Sequence, residues 1–160
     1  MLSTAVHESS VDSHEASRLR WVSLKDTPKL VKLYNLAREG NPETRRSMLS
    51  WLEHGGGLAL ETPSQELVCA IRWREDAKGW TVDRIATLPE ARGRGYGRWL
   101  MTKVEALAIR KNIPSLTLVL DEVNNELSQY YQRMGYRIIE QTDTTVTLDK
   151  RVGGTWQYKA

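Results

Sequence analysis

Trp80-Thr81-Val82-Asp83-Arg84-Ile85-Ala86-Thr87-Leu88 is followed by Pro89-Glu90-Ala91-Arg92-Gly93-Arg94-Gly95-Tyr96-Gly97, and then by a run of helical period reaching Asn112. The first segment is rich in β-branched and aromatic residues and closed by proline, which predicts a strand. Leu100, Val104, Leu107 and Ala108 recur on one face of the third, with Pro114 just beyond, which predicts a helix. Between them three glycines at alternate positions are interleaved with two arginines. Glycine admits positive φ and lets a ligand approach bare backbone, so successive N–H groups can converge on an anion. The helix that follows adds its free N–H groups and the positive end of its dipole. The stretch has the build of a phosphate cradle. A glycine-rich turn with solvated arginines is the structural alternative.

Two familiar cradles do not fit. A P-loop needs Lys and then Ser or Thr after its last glycine, where Arg98 and Trp99 stand. The dinucleotide fingerprint matches at Gly93 and Gly95, with Asp121 closing the next strand where a ribose-binding acid would sit. Arg98 replaces its third glycine, however, the turn from Leu88 to Gly93 is too long, and only one strand-helix-strand unit is present.

A third pattern does fit. Arg92-Gly93-Arg94-Gly95-Tyr96-Gly97, after a strand, resembles the Gln/Arg-x-x-Gly-x-Gly/Ala signature of the GNAT acyltransferase superfamily. Downstream, Asn124-Asn125-Glu126-Leu127-Ser128-Gln129-Tyr130-Tyr131-Gln132-Arg133-Met134-Gly135-Tyr136 resembles that superfamily's Asn-x-x-Ala-x-x-(Leu/Phe)-Tyr-x-x-x-Gly-(Phe/Tyr) segment. The two motifs occur in order with a helix and a strand between them. A looser resemblance covers everything after about Arg18.

Length and composition set the frame. The 160 residues suit one domain with a single core. A net charge of +3 is mild for a nucleic-acid binder, which needs a concentrated basic face, so no nucleic-acid partner is expected. The lone cysteine excludes an internal disulfide and a Cys-rich metal site. No apolar run is long enough to span a bilayer, and the N-terminus has no secretory apolar core, so a cytoplasmic protein without membrane contact is expected.

In chain order, residues 1–17 read as a disordered Ser-rich tail, with His7 and His14 solvated, and residues 18–160 as one acyltransferase domain. Leu19–Leu24 predicts a strand. Asp26-Thr27-Pro28 caps a helix whose buried stripe is Leu30, Val31, Leu33, Tyr34 and Ala37, ended by Gly40. Asn41-Pro42 starts a second helix with Met48, Leu49, Trp51 and Leu52 inward. His54 ends it, and Gly55-Gly56-Gly57 is expected to be a flexible break. Strands follow at Leu58–Glu61 and Leu67–Trp73, with Cys69 a buried structural thiol. After the central helix, Leu116–Leu120 reads as a strand covered on both faces, Asp121-Glu122 as solvated acids, and Arg137–Gln141 with Thr145–Leu148 as a closing antiparallel pair. The expected fold class is α/β: a mixed, largely antiparallel sheet, helices on both faces, and parallel strands four and five. The resemblance implies that these two splay to admit a pantetheine arm.

The resemblance also assigns roles. It implies acetyl-CoA as cosubstrate and no metal, with Gly93, Arg94, Gly95, Tyr96, Gly97 and Arg98 around the pyrophosphate, behind Arg92. It places Ile85, Ala86 and Thr87 along pantetheine and Asn124 against the cofactor, although an N-cap role explains Asn124 equally well. Tyr131 matches the tyrosine that protonates the departing thiolate; its helical spacing with Leu127, Tyr130 and Met134 also suits a core residue. Several relatives carry a glutamate where Val119 stands. Asp83, the only carboxylate on the central strand and expected on the same face as Ile85 and Thr87, is the candidate base, with a surface acid or ion-pair role as the alternative. Leu127 for alanine and Thr87 for an aliphatic residue are departures that touch the acyl pocket. The expected activity is acetylation of a primary amine, of a small molecule in the leading reading. A protein N-terminus or lysine, or a non-catalytic acyl-CoA-binding module, are the competing readings, and a homodimer stays open. Trp51, Trp73 and Trp156 are candidates to line an aromatic acceptor site.

Overall fold

The computed structural model describes residues 17–38, 42–121 and 123–153. The expected tail lies outside these residues except for Ser17, as do Gly40, Asn41, Glu122 and Trp156. The elements are β1 (Arg18–Trp21), α1 (Thr27–Ala37), α2 (Arg45–Glu53), β2 (Gly55–Glu61), β3 (Leu67–Asp76) and β4 (Gly79–Thr87), then α3 (Tyr96–Arg110), β5 (Ser115–Leu120), α4 (Asn125–Arg133), β6 (Arg137–Gln141) and β7 (Val146–Arg151). One seven-stranded sheet runs β1-β2-β3-β4-β5-β7-β6, and only the β4–β5 pair is parallel. The α/β class and the parallel fourth and fifth strands are as expected.

Side-chain alternation along β3 separates the two helical layers. Arg72 projects toward α1 and α2, where its guanidinium lies 4.7 Å from the Tyr34 ring and 4.6 Å from the Trp51 ring. Its neighbour Trp73 projects the other way and stacks on Trp80 at 4.8 Å. The α3 stripe of Leu100, Val104, Leu107 and Ala108 is buried as its period required.

Several boundaries differ from expectation, each for a visible reason. The first strand stops at Trp21, because Leu24–Asp26 turns into a short 3-10 segment. Asp26 does not cap α1 with its side chain; the Arg20 guanidinium takes both carboxylate oxygens, at 3.0 and 2.8 Å, and holds the carboxyl below its usual range. The second helix begins at Arg45, where Thr44 and Ser47 form a capping box. Gly55–Gly57 is no break but the first part of β2, paired with Arg74, Trp73 and Arg72. A Cβ on Gly55 would stand 1.8 Å from the Trp73 carbonyl oxygen, and one on Gly56 would stand 2.7 Å from the Trp73 ring. Those glycines are required by close approach to β3. β5 is not evenly covered: Leu116, Leu118 and Leu120 are buried, while Ser115, Thr117 and Val119 are half-buried.

The parallel pairing joins Trp80–Asp83 to Leu116–Val119 and goes no further. At that point β4 carries one more residue than β3 between the Arg72–Asp83 and Ala70–Ala86 pairs, a β-bulge. Arg84, in the bulge, has φ of +38°, an uncommon conformation for a residue with a side chain. The bulge bends β4 away from β5 and opens a V between them.

Candidate active site

The V separates two cavities. One, about 450 Å³, lies toward α3 and α4 and is bounded by the glycine loop, Val119, Asn124 and Tyr131. The other, about 770 Å³, lies against α1 and includes Tyr34, Arg38 and Ala86 in its wall. Arg84, Ile85, Thr87, Arg92 and Asp121 border both, so the two spaces meet at the end of β4.

The loop has the form expected of a cradle. Gly93 and Gly95 both have φ of +79°, and an added Cβ at either would meet nothing within 4 Å. Open space in front of bare backbone, beside the first turn of a helix, suits a phosphate group. Gly95 is the N-cap of α3, so the N–H groups of Tyr96, Gly97 and Arg98 belong to its first turn. Gly97 serves packing instead, since a Cβ there would press on Ile85 Cγ2 at 3.2 Å. The Arg98 guanidinium lies over the Tyr130 ring at 4.3 Å, and that of Arg92 donates to the Ala37 carbonyl. Arg94 borders neither cavity.

On α4, Asn124 is the N-cap and its Oδ1 accepts from Leu127 N at 3.1 Å, which leaves its amide N–H groups as donors beside the cleft. Tyr131 is 3% exposed, with its ring edge-on to Tyr130 at 5.1 Å and to Tyr136 at 5.7 Å. The Tyr136 hydroxyl donates to Glu105 at 2.9 Å, whereas that of Tyr131 has no hydrogen-bond partner among the described residues. Burial pushes the Tyr131 hydroxyl above its ordinary range, so it stays protonated at neutral pH. Beneath the β4 end, Cys69 is buried with its Sγ 3.2 Å from Thr87 Oγ1, and burial pushes its thiol up to about 11. It is a packed thiol, as expected.

Asp83 is placed differently from expectation. The bulge at Arg84 interrupts the alternation that would have set it beside Ile85 and Thr87, and it borders neither cavity. Its two oxygens accept from Arg72 Nε at 2.8 Å and Nη2 at 3.1 Å. Burial pushes its carboxyl up while Arg72 opposes the shift. Arg72, 3% exposed, also donates to Glu43 at 2.7 Å, and Glu43 in turn takes Arg84 Nη1 at 2.9 Å. Asp121 continues the network toward Arg84, at 3.4 Å, and Arg38, so it is an ion-pair partner at the cavity wall and not a solvated acid.

Sequence reasoning had missed Tyr34, Arg38, Arg84 and Asp121 as cavity residues. The one local signal was a charged pair, Asp83-Arg84, inside an otherwise apolar central strand. Trp73 packs in the core and Trp51 covers Arg72 and Arg74, so neither borders the cavities. Among the described residues no cluster of metal-ligating side chains occurs, and no helix is long and apolar enough to cross a membrane.

Comparison with known proteins agrees with this geometry. The ribosomal-protein-S18-alanine N-acetyltransferase of Escherichia coli superposes with a TM-score of 0.76 at 15% identity, over 87% of this chain and 96% of that one. The PaiA N-acetyltransferase of Thermoplasma acidophilum, solved with coenzyme A, gives 0.70 at 15%, over 85% and 99%. A phosphinothricin acetyltransferase of Sinorhizobium meliloti, solved with acetyl-CoA, gives 0.68 at 14%, over 88% and 91%. No curated protein sequence matches. The family model of the acetyltransferase (GNAT) domain matches residues 53–138, from the end of α2 through the loop, Asn124 and Tyr131 into β6, and the chain belongs to the GNAT N-acetyltransferases.

Proposed function

We infer that the protein transfers an acetyl group from acetyl-CoA to a primary amine of a small molecule by direct attack. The observation that carries this reading is the meeting of the two cavities at the splayed end of β4, which lets a donor on the α3 side face an acceptor on the α1 side. Acetyl-CoA supplies the acyl group activated as a thioester. Gly93–Arg98 offer backbone N–H groups and arginine charge to its pyrophosphate, and Ile85, Ala86 and Thr87 offer a free strand edge to pantetheine. The new amide N–C bond forms as the thioester C–S bond breaks. The amine gives up one proton to water, and the sulfur receives one from the Tyr131 hydroxyl, which is later reprotonated from solvent. Burial suits Tyr131 to this role by keeping it a proton donor. Asp83 reaches the acceptor side only through water, because its carboxylate is engaged by Arg72 behind the wall. Two of the superposed proteins were solved with coenzyme A or acetyl-CoA bound, which supports the choice of cosubstrate.

The test is CoA binding by calorimetry and thermal shift, followed by a thiol-release screen of amines. Binding should raise Tm by mass action. Gly95→Val forces a β-branched residue to φ of +79° and fills the cradle, so its CoA Kd should rise about tenfold or more. Normal CoA binding by that variant would move the cofactor site elsewhere.

A further inference from the structure

A proton given by Tyr131 to sulfur leaves a negative charge on a buried ring. An ordinary thiol titrates near about 8.5 and an ordinary phenol near about 10, so transfer from phenol to thiolate is uphill from the start. Burial steepens it, and Tyr130 of α4 and Cys69 of β3 also hold the proton on the phenol. On the far side of Tyr136, Glu105 of α3 is neutralised by Lys150 of β7, so that pair brings the ring no net charge. The charge that favours the phenolate is that of Arg98.

The placement of Arg98 is independent of any titration. Its guanidinium lies over the Tyr130 ring at 4.3 Å, and that ring stands edge-on to Tyr131 at 5.1 Å. No carboxylate among the described residues forms an ion pair with it, so its charge is not spent elsewhere. Arg98, Tyr130 and Tyr131, with Glu105 and Tyr136, close around a space of only about 10 Å³, enough for one water at most. Arg98 and Tyr131 both border the donor cleft as well. The cation therefore sits where thiolate departure occurs in the function proposed above, on the outer side of the ring pair that supplies the proton.

We propose that Arg98 is a positioning residue for proton donation: it fixes the Tyr130–Tyr131 pair and sets a positive charge beside the phenolate formed when Tyr131 protonates the thiolate. In that step the Tyr131 O–H bond breaks, an S–H bond forms on coenzyme A, and the negative charge passes from sulfur to the phenolic oxygen. A solvent proton then restores the hydroxyl. The inference rests on Tyr131 as the proton donor and adds the residue that makes its donation less uphill. The cradle thus serves two ends, its backbone facing the pyrophosphate and its last arginine supporting the chemistry.

The experiment is a double-mutant cycle on Arg98→Gln and Tyr131→Phe, with Arg98→Lys beside it. Thiol release is measured with an amine from the screen at saturating acetyl-CoA. Any part Arg98 plays in cofactor affinity then appears in KM and in the CoA Kd from calorimetry. Arg98→Gln should lower kcat by about 3- to 30-fold, the scale of one solvent-exposed charge acting on a proton transfer. With Tyr131→Phe there is no phenolate to stabilise, so the double variant should match Tyr131→Phe in kcat. Arg98→Lys keeps the charge and the contact with the ring, and should recover most of the rate. A loss confined to KM and the CoA Kd would make Arg98 a pyrophosphate ligand only and overturn the inference. Independent, multiplying losses in the double variant, or a lysine variant as slow as the glutamine one, would overturn it too. Each of those outcomes leaves a slow Tyr131→Phe, and hence the proton donor, standing. Full activity in Tyr131→Phe would overturn the donor and the inference together.

Discussion

Tyr131→Phe separates a proton donor from a core ring, because the structure makes the two roles differ in what they cost. The substitution removes one oxygen and keeps a ring wedged edge-on between Tyr130 and Tyr136. Since the hydroxyl makes no hydrogen bond among the described residues, no bond is lost and stability should change by less than about 1 kcal/mol. Tyr136→Phe is the contrasting case: it deletes a 2.9 Å bond to Glu105 and should cost about 1–3 kcal/mol while leaving the cleft intact. For turnover the order reverses. Loss of general acid assistance should lower kcat by about 10²–10⁴, or about 3–5 kcal/mol of barrier, with the CoA Kd unchanged. A donor must be protonated to act, so activity that depends on Tyr131 falls as pH rises through its pKa. Burial raises that pKa above the ordinary 10.0, so the Tyr131-dependent alkaline loss in the wild type should begin only beyond about pH 10. The assay is steady-state thiol release across pH, with CoA calorimetry and thermal unfolding in parallel. Tyr130→Phe, whose ring lies under Arg98, is the control. Full activity in Tyr131→Phe, or selective loss in Tyr130→Phe, would refute the assignment.

Asp83→Asn should destabilise the protein by about 1–3 kcal/mol, because it removes one of the two carboxylates on the buried Arg72 and leaves Glu43 to pair with it, and should leave the shape of the pH–rate profile intact. A loss of rate confined to the low-pH limb, with normal stability, would instead make Asp83 the base. Cys69 predicts an alkaline stability loss: the unfolded thiol ionises near 9 and the folded one near 11, so its contribution is complete below about pH 9 and declines toward pH 11. The expected loss is about 2–3 kcal/mol. Thermal unfolding should show that decline flattened in Cys69→Ala, and an unchanged slope would rule the thiol out as its source.

What the sequence disclosed and what it concealed divide along the range of the interactions. The glycine loop, α3 and the helix after Asn124 are each written in a contiguous stretch, and each adopts the local conformation its residues predict. α2 starts at Arg45, later than the Asn41-Pro42 signal, because Glu43, before the cap, is fixed from afar. Asn35 exchanges two bonds with its backbone, at 2.7 and 3.1 Å, and Arg72 holds its carboxylate. Gly55–Gly57 looked flexible because its partner, Trp73, is remote in sequence. Arg84 gave no sign of its positive φ, since a bulge is a mismatch between two strands and neither strand alone records it. The α1 cavity was concealed for the same reason: its charges come from four separate segments and meet only in the folded chain.

The common wall at Arg84, Ile85, Thr87, Arg92 and Asp121 has a thermodynamic corollary. A side chain that touches two ligands has one set of rotamers and one electrostatic field to offer both. Whatever arrangement the donor stabilises there, the acceptor meets ready-made or must undo, and the coupling is equal in the two directions. With donor and acceptor placed as proposed, affinity for acceptor and affinity for cofactor are not separately adjustable at these positions. On the proposed placement, acceptor specificity can change without touching the donor at the residues that border the α1 cavity alone, among them Tyr34, Leu36, Ala37 and Arg38.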